Sequence, residues 1–132
     1  MNIGEVSSRS GVSQRMIRHY EKVGLVPRAA RRASGYRDYG DDDVHRLRFV
    51  RRARDLGFGI EEIRRLLALW EDRERSSAEV KALALTRAGE LRRKEQEMAS
   101  MRRTLEALAR SCSGNERPDC PILDDLAAAD GA

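Results

Sequence analysis

The stretch Gly11-Val-Ser-Gln-Arg-Met-Ile-Arg-His-Tyr-Glu-Lys-Val-Gly-Leu-Val-Pro27 decides the fold. Gly11 permits a turn, Val12 plugs it, and Ser13 is a good N-cap for a helix running to about Val23. Met16, Ile17 and Tyr20 supply that helix with an apolar side, and Arg15, Arg18 and Lys22 give it cations. Gly24 ends it and Pro27 prevents its resumption. Upstream, Asn2 with Glu5 three residues on reads as a capping box opening a shorter helix, with Ile3 and Val6 facing inward. Two short helices joined by a glycine turn, the second one basic, make a helix-turn-helix.

Charge supports that reading. Residues 1–37 carry eight Lys/Arg against two acids, a balance of +6, whereas residues 76–132 carry nine against ten, a balance of −1. A basic front and a neutral back assign polyanion binding to the first part and another task to the second. No apolar run spans a bilayer and the N-terminus has no signal-peptide core, so a cytoplasmic protein without membrane attachment is expected. In that compartment a cysteine pair points to a metal or redox site before a stable disulfide.

After Pro27 comes Arg28-Ala-Ala-Arg-Arg-Ala-Ser-Gly-Tyr-Arg-Asp-Tyr39. Ser34-Gly35 is a turn signal and Tyr36, Arg37 and Tyr39 favour extended structure, which predicts a basic hairpin wing able to reach phosphates. Asp41 to Asp43 then open a helix with Val44, Leu47, Val50, Ala53 and Leu56 on one stripe and five arginines opposite. Gly57 closes it. The next helix starts at Ile60, with Ile63, Leu66, Leu67 and Trp70 read as core. The arginines fit a solvated face as well as a phosphate-binding one. His19 and His45 suit surface or phosphate-facing positions better than metal ligation.

Ser76 with Glu79 reads as another capping box, opening a helix to about Arg110 that spans about 50 Å. One heptad phase holds Ala84, Leu91, Met98 and Leu105; the other holds Val80, Met101 and Leu108, interrupted by Arg87 and Lys94. That is a coiled-coil seam with two basic defects. No other helix of similar length is available, so the expected partner is a second copy in a two-fold homodimer, which suits a pseudo-palindromic operator in double-stranded DNA.

Both cysteines lie in Cys112-Ser-Gly-Asn-Glu-Arg-Pro-Asp-Cys120, just past that helix. Pro121 suits the first turn of a short helix, and Ile122, Leu123 and Leu126 could form a lid over the loop. Two thiolates without a nearby histidine make a poor zinc site, because zinc takes four ligands. Soft thiolates suit Cu(I) and similar monovalent d10 ions.

Met16 to Pro27, Gly35-Tyr-Arg-Asp-Tyr39 and Arg51-Arg-Ala-Arg-Asp-Leu-Gly-Phe58, in that order, resemble the winged-helix DNA-binding domain of the MerR family of bacterial transcriptional regulators. The loop from Cys112 to Cys120, followed by Pro-Ile-Leu, is similar to the effector loop of its copper-efflux branch (CueR or HmrR type). The resemblance covers about residues 1–126.

It implies a mainly α fold with three parts: a winged helix-turn-helix domain with hinge helices (1–75), a dimerisation helix forming an antiparallel coiled coil (76–111), and a metal-sensing loop with a short helix and tail (112–132). It implies operator contacts from Arg18 and Tyr20 on the recognition helix, beside Arg15, and from Tyr36 and Arg37 in the wing. Arg54 adds a phosphate contact, and for Tyr20 core packing against the first helix can coexist with a contact through its hydroxyl. It implies that Cys112 and Cys120 bind Cu(I), with Ag(I) and Au(I) sharing the chemistry. Ser77, where divalent-metal sensors have a cysteine, would sort the metal by withholding a third thiolate.

The function implied is activation of copper-efflux genes, a copper-exporting ATPase among them. Metal-dependent distortion of promoter DNA would realign it for RNA polymerase. Two other readings use the same residues: a thiol-redox regulator with a reversible Cys112–Cys120 disulfide, and a non-regulatory copper-binding coiled-coil protein. No nucleophile–base constellation stands out, so an enzyme is not expected.

Overall fold

The computed structural model describes residues 1–31, 35, 37–112, 114–115 and 120–128, with the backbone alone at 30, 31 and 37. Two units divide the chain, Met1–Arg87 and Ala88–Ala132.

The first unit opens with α1 (Ile3–Ser10) and α2 (Gln14–Lys22). Each starts where a side chain takes up an orphan backbone donor: Asn2 Oδ1 accepts from the Glu5 N–H at 2.9 Å, and Ser13 Oγ accepts from the Met16 N–H at 3.2 Å. A cap of this kind contributes about 1 kcal/mol. Between the helices Gly11 adopts φ +76° and its N–H returns to the Ser7 carbonyl. The turn favours glycine for this left-handed backbone angle, and the Arg51 guanidinium lies close against it. Val12 is buried as the plug, and the Ser7 hydroxyl donates to its carbonyl at 2.7 Å.

The wing backbone follows as β1 (Ala30–Arg31) and β2 (Arg37–Asp38), antiparallel, with Ala30 opposite Asp38 and Arg31 opposite Arg37. Next come α3 (Asp41–Asp55) and α4 (Ile60–Glu71). Their N-termini are closed by carboxylates reaching back, Asp43 to the Gly40 N–H and Glu62 to the Gly59 N–H. α3 packs on α1 and α4, and α1 on α2. Val6, Ile17, Val44, Leu47, Val50 and Ile63 are the most deeply buried side chains of the resulting core.

Two residues read as core from their spacing lie elsewhere. Trp70 is 44% exposed and stacks on Phe49 at 4.7 Å between ring centroids, because the last turn of α4 meets this partly buried ring of α3 and not the core interior. Leu56 is exposed as well, since it is the C-cap of α3, where the chain leaves the stripe.

The long helix α5 (Ser77–Ser111) begins in the first unit and continues into the second. Its 35 residues span about 52 Å. The expected reciprocal capping box is only half formed. Ser76 Oγ accepts from the Ala78 N–H at 3.1 Å, but Glu79 turns to Arg65 at 2.7 Å. None of the described residues of α5 is buried: Leu91, Met98, Met101 and Leu105 of the heptad stripe are exposed. The short helix α6 (Pro121–Ala127) has proline in its first turn, as expected; Leu123 and Leu126 are exposed, and loop residues 113 and 116–119, over which they were expected to lie, fall outside the described residues.

Candidate nucleic-acid interface and thiol pair

The second helix of the helix-turn-helix, expected from the sequence to read DNA, is α2. Ile17 and Tyr20, three residues apart, point into the core, which turns Arg15, Arg18 and Lys22 to solvent. Among the described residues, Arg15 and Arg18 have no carboxylate or hydrogen-bond partner, so their full charge is available to an anion. Tyr20 is only 3% exposed, and its hydroxyl accepts from Arg54 Nη1 at 2.9 Å. The packing reading of Tyr20 is therefore the one the geometry carries. Arg54 remains exposed beside it, and with Met16, His19 and Phe58 the pair lines a cleft of about 210 Å³ along α2.

The C-terminal end of α2 is also held. Gly24, at φ +72°, lets the chain turn so that the Leu25 N–H reaches the Tyr20 carbonyl at 2.9 Å. From α4, Arg64 donates to the Gly24 and Val23 carbonyls at 2.8 and 3.0 Å. Arg48 of α3 does the same for α1, donating twice to the Arg9 carbonyl. Cations on orphan carbonyls satisfy them and complement the helix dipole. The sequence reading missed both clamps, since an arginine on a helix face looks the same whether it meets a carbonyl or water.

At the wing, Tyr36 lies outside the described residues, and Arg37 is described by its backbone in β2 alone. Ser77, the first residue of α5, is exposed and lines a cleft of about 200 Å³ with Phe49, Leu66, Trp70, Arg75 and Val80.

In the second unit the two thiols sit at helix ends. Cys112 directly follows α5, and its N–H returns to the Ala109 carbonyl at 3.2 Å. Gly114 holds the left-handed φ of +65°. Cys120 is the N-cap of α6, its carbonyl accepting from the Asp124 N–H at 3.0 Å. Both cysteines are free and half-buried. Among the described residues no group of three or more His, Cys, Asp or Glu side chains converges. Among the described loop residues the two thiols are the soft donors.

Two family models match the chain: the MerR HTH family regulatory protein over residues 1–70, and the MerR DNA-binding region over residues 44–108. The chain belongs to the MerR family. This MerR-family protein is a DNA-binding transcriptional regulator, and α2 is the helix its helix-turn-helix presents. It is 58% identical over 132 residues to the HTH-type transcriptional regulator HmrR of Sinorhizobium medicae, covering all of this chain and 90% of that one. It is 42% identical over 126 residues to the HTH-type transcriptional regulator CueR of Salmonella typhimurium, covering 96% of this chain and 91% of that one. Among solved structures it resembles the transcription regulator PbrR691 of Ralstonia metallidurans in complex with lead(II). That match has a TM-score of 0.83 and 35% identity, over 96% of this chain and 99% of the other. No helix is long and apolar enough among the described residues to cross a membrane.

Proposed function

We infer that this MerR-family protein is a Cu(I)-responsive transcriptional activator of copper-efflux genes, working in the cytoplasm as a homodimer on promoter DNA. The observation that carries the reading is the donor set: two free, half-buried cysteines at facing helix ends in sequence, with no third soft ligand converging among the described residues. The names of the relatives HmrR and CueR agree with it. The relative solved with lead(II) shows that a divalent ion is also found in this family, so the choice of metal rests on Cys112, Cys120 and Ser77.

In this reading Cys112 and Cys120 lose their protons and bind Cu(I), and binding therefore strengthens as pH rises. Ag(I) and Au(I) share the same soft chemistry. Bound Cu(I) supplies a link between the two sulfurs, tying the end of α5 to the start of α6. The exposed stripe of α5, with Met98, Met101 and Leu105, is covered by the same helix of a second copy, antiparallel to it. That arrangement brings the start of one copy's helix, with Ser77, toward the other copy's loop, where a hydroxyl adds no thiolate. The functional parts are then residues 1–75 for DNA, 76–111 for the dimer and 112–132 for sensing.

Arg15, Arg18 and Arg54 bind the operator, and the wing at Tyr36 and Arg37 adds contacts. The dimer reads a pseudo-palindrome. Metal favours one of two conformations through its differential affinity for them, and that conformation distorts the promoter into a form RNA polymerase can use.

Replacing Cys112 or Cys120 by Ser is expected to leave operator binding intact and to remove Cu(I) induction in transcription from purified components. Normal induction of either variant refutes the two-thiolate site. Induction of the wild type by an oxidant without metal would select the disulfide reading instead.

A further inference from the structure

Arg87 interrupts the apolar heptad of α5, and neither DNA binding nor metal binding requires a cation there. The structure shows where it goes. Its Nε donates to the carbonyl of Leu56, the C-cap of α3, at 2.9 Å. A Cβ built on the next residue, Gly57, would fall on the Arg87 guanidinium, so the side chain lies in a notch directly against that glycine. Gly57 holds φ +85° and closes the end of α3, its N–H reaching the Arg54 carbonyl at 2.8 Å. The side chain of that same Arg54 donates to Tyr20 of the recognition helix. On the far side of the turn, α4 sends Arg64 to the carbonyls that end α2.

We propose that Arg87 is a positioning residue that couples the dimer helix to the recognition helix through the α3–α4 turn. The turn grips α2 at Tyr20 and at Gly24, and Arg87 is the group by which α5 grips the turn. A shift of α5 thereby reaches the DNA-reading face as a rigid displacement of α3, α4 and α2 together. Without Arg87 the turn loses a capping donor and the notch at Gly57 empties, so the two ends of the device move independently. The role in activation rests on the metal-responsive reading; the grip on the turn does not.

The test uses the full chain with Arg87→Ala and Arg87→Lys. In the metal-free protein, amide hydrogen exchange across residues 54–60 is expected to speed up about 5-fold in Arg87→Ala, as local opening becomes easier. Operator affinity should stay close to wild type, while the ratio of Cu(I)-activated to basal transcription falls about 10-fold. Arg87→Lys keeps the charge and a donor without the planar fit, and should recover part of that ratio. Unchanged exchange at 54–60, or full activation by Arg87→Ala, overturns the proposal. Loss of operator binding by both variants also overturns it, because Arg87 would then be a folding residue. If the wild type itself ignores Cu(I), the metal reading fails and the exchange measurement alone decides the grip.

Discussion

The first 87 residues and those that follow differ in where their partners come from. In Met1–Arg87 nearly every structural need is met from within: Asn2 and Ser13 cap the starts of α1 and α2, Arg48 and Arg64 close the ends of the same two helices, and the packed layer buries Ile17, Val50 and Ile63. In the second unit no described residue is buried, although Met98, Met101, Leu105, Leu123 and Leu126 are all apolar. An isolated helix gains little stability from propensity alone and depends on packing of its apolar face. The first unit is built to be rigid before it meets DNA. In the proposed reading the second is completed by another copy along α5 and by a ligand at the cysteines.

That contrast is most sharply tested by paired truncations. Ile17→Ala is expected to destabilise the first unit by about 2–5 kcal/mol, a core cavity that denaturation reads at any protein concentration. Met101→Ala should leave that unfolding step unchanged and instead weaken self-association, measured by sedimentation. A Met101→Ala protein that loses stability like Ile17→Ala, with its association intact, would break the distinction between the units. A smaller effect sharpens the role of the outward face of α2. Arg18→Ala should cost about 1–3 kcal/mol in operator binding by gel shift, with the fold preserved. Unchanged affinity in a folded variant would remove Arg18 from the interface.

Much of this was legible in the chain. Gly11-Val12-Ser13 foretold the turn, and the 3.6-residue spacing of Val44, Leu47, Val50 and Ala53 foretold the buried stripe, because local backbone preference and burial agree there. Periodicity placed Trp70 and Leu56 inside and they are exposed, since spacing reports a face without reporting where packing stops. The capping box at Ser76 and Glu79 was half right, because Arg65, distant in sequence, offered Glu79 a better partner. Arg87 looked like a seam defect and proved to serve the end of α3. Arginine roles were the least legible. The residue type fixes the charge but leaves open whether a carbonyl, a phosphate or water receives it. The two cysteines stood out by composition alone, and the structure adds that they are free and half-buried at the ends of two helices.

The claim on which the functional account turns is that Cys112 and Cys120, with Ser77 withholding a third thiolate, select a soft monovalent ion. An anaerobic titration of the promoter-bound protein with Cu(I), Ag(I), Au(I), Zn(II) and Pb(II), read by transcription and by bound metal, tests it directly. The account predicts activation by Cu(I), shared by Ag(I) and Au(I), that saturates at one ion per cysteine pair, with no activation by Zn(II) or Pb(II). Activation by Zn(II) or Pb(II) while Cu(I) leaves transcription at its basal level would contradict it.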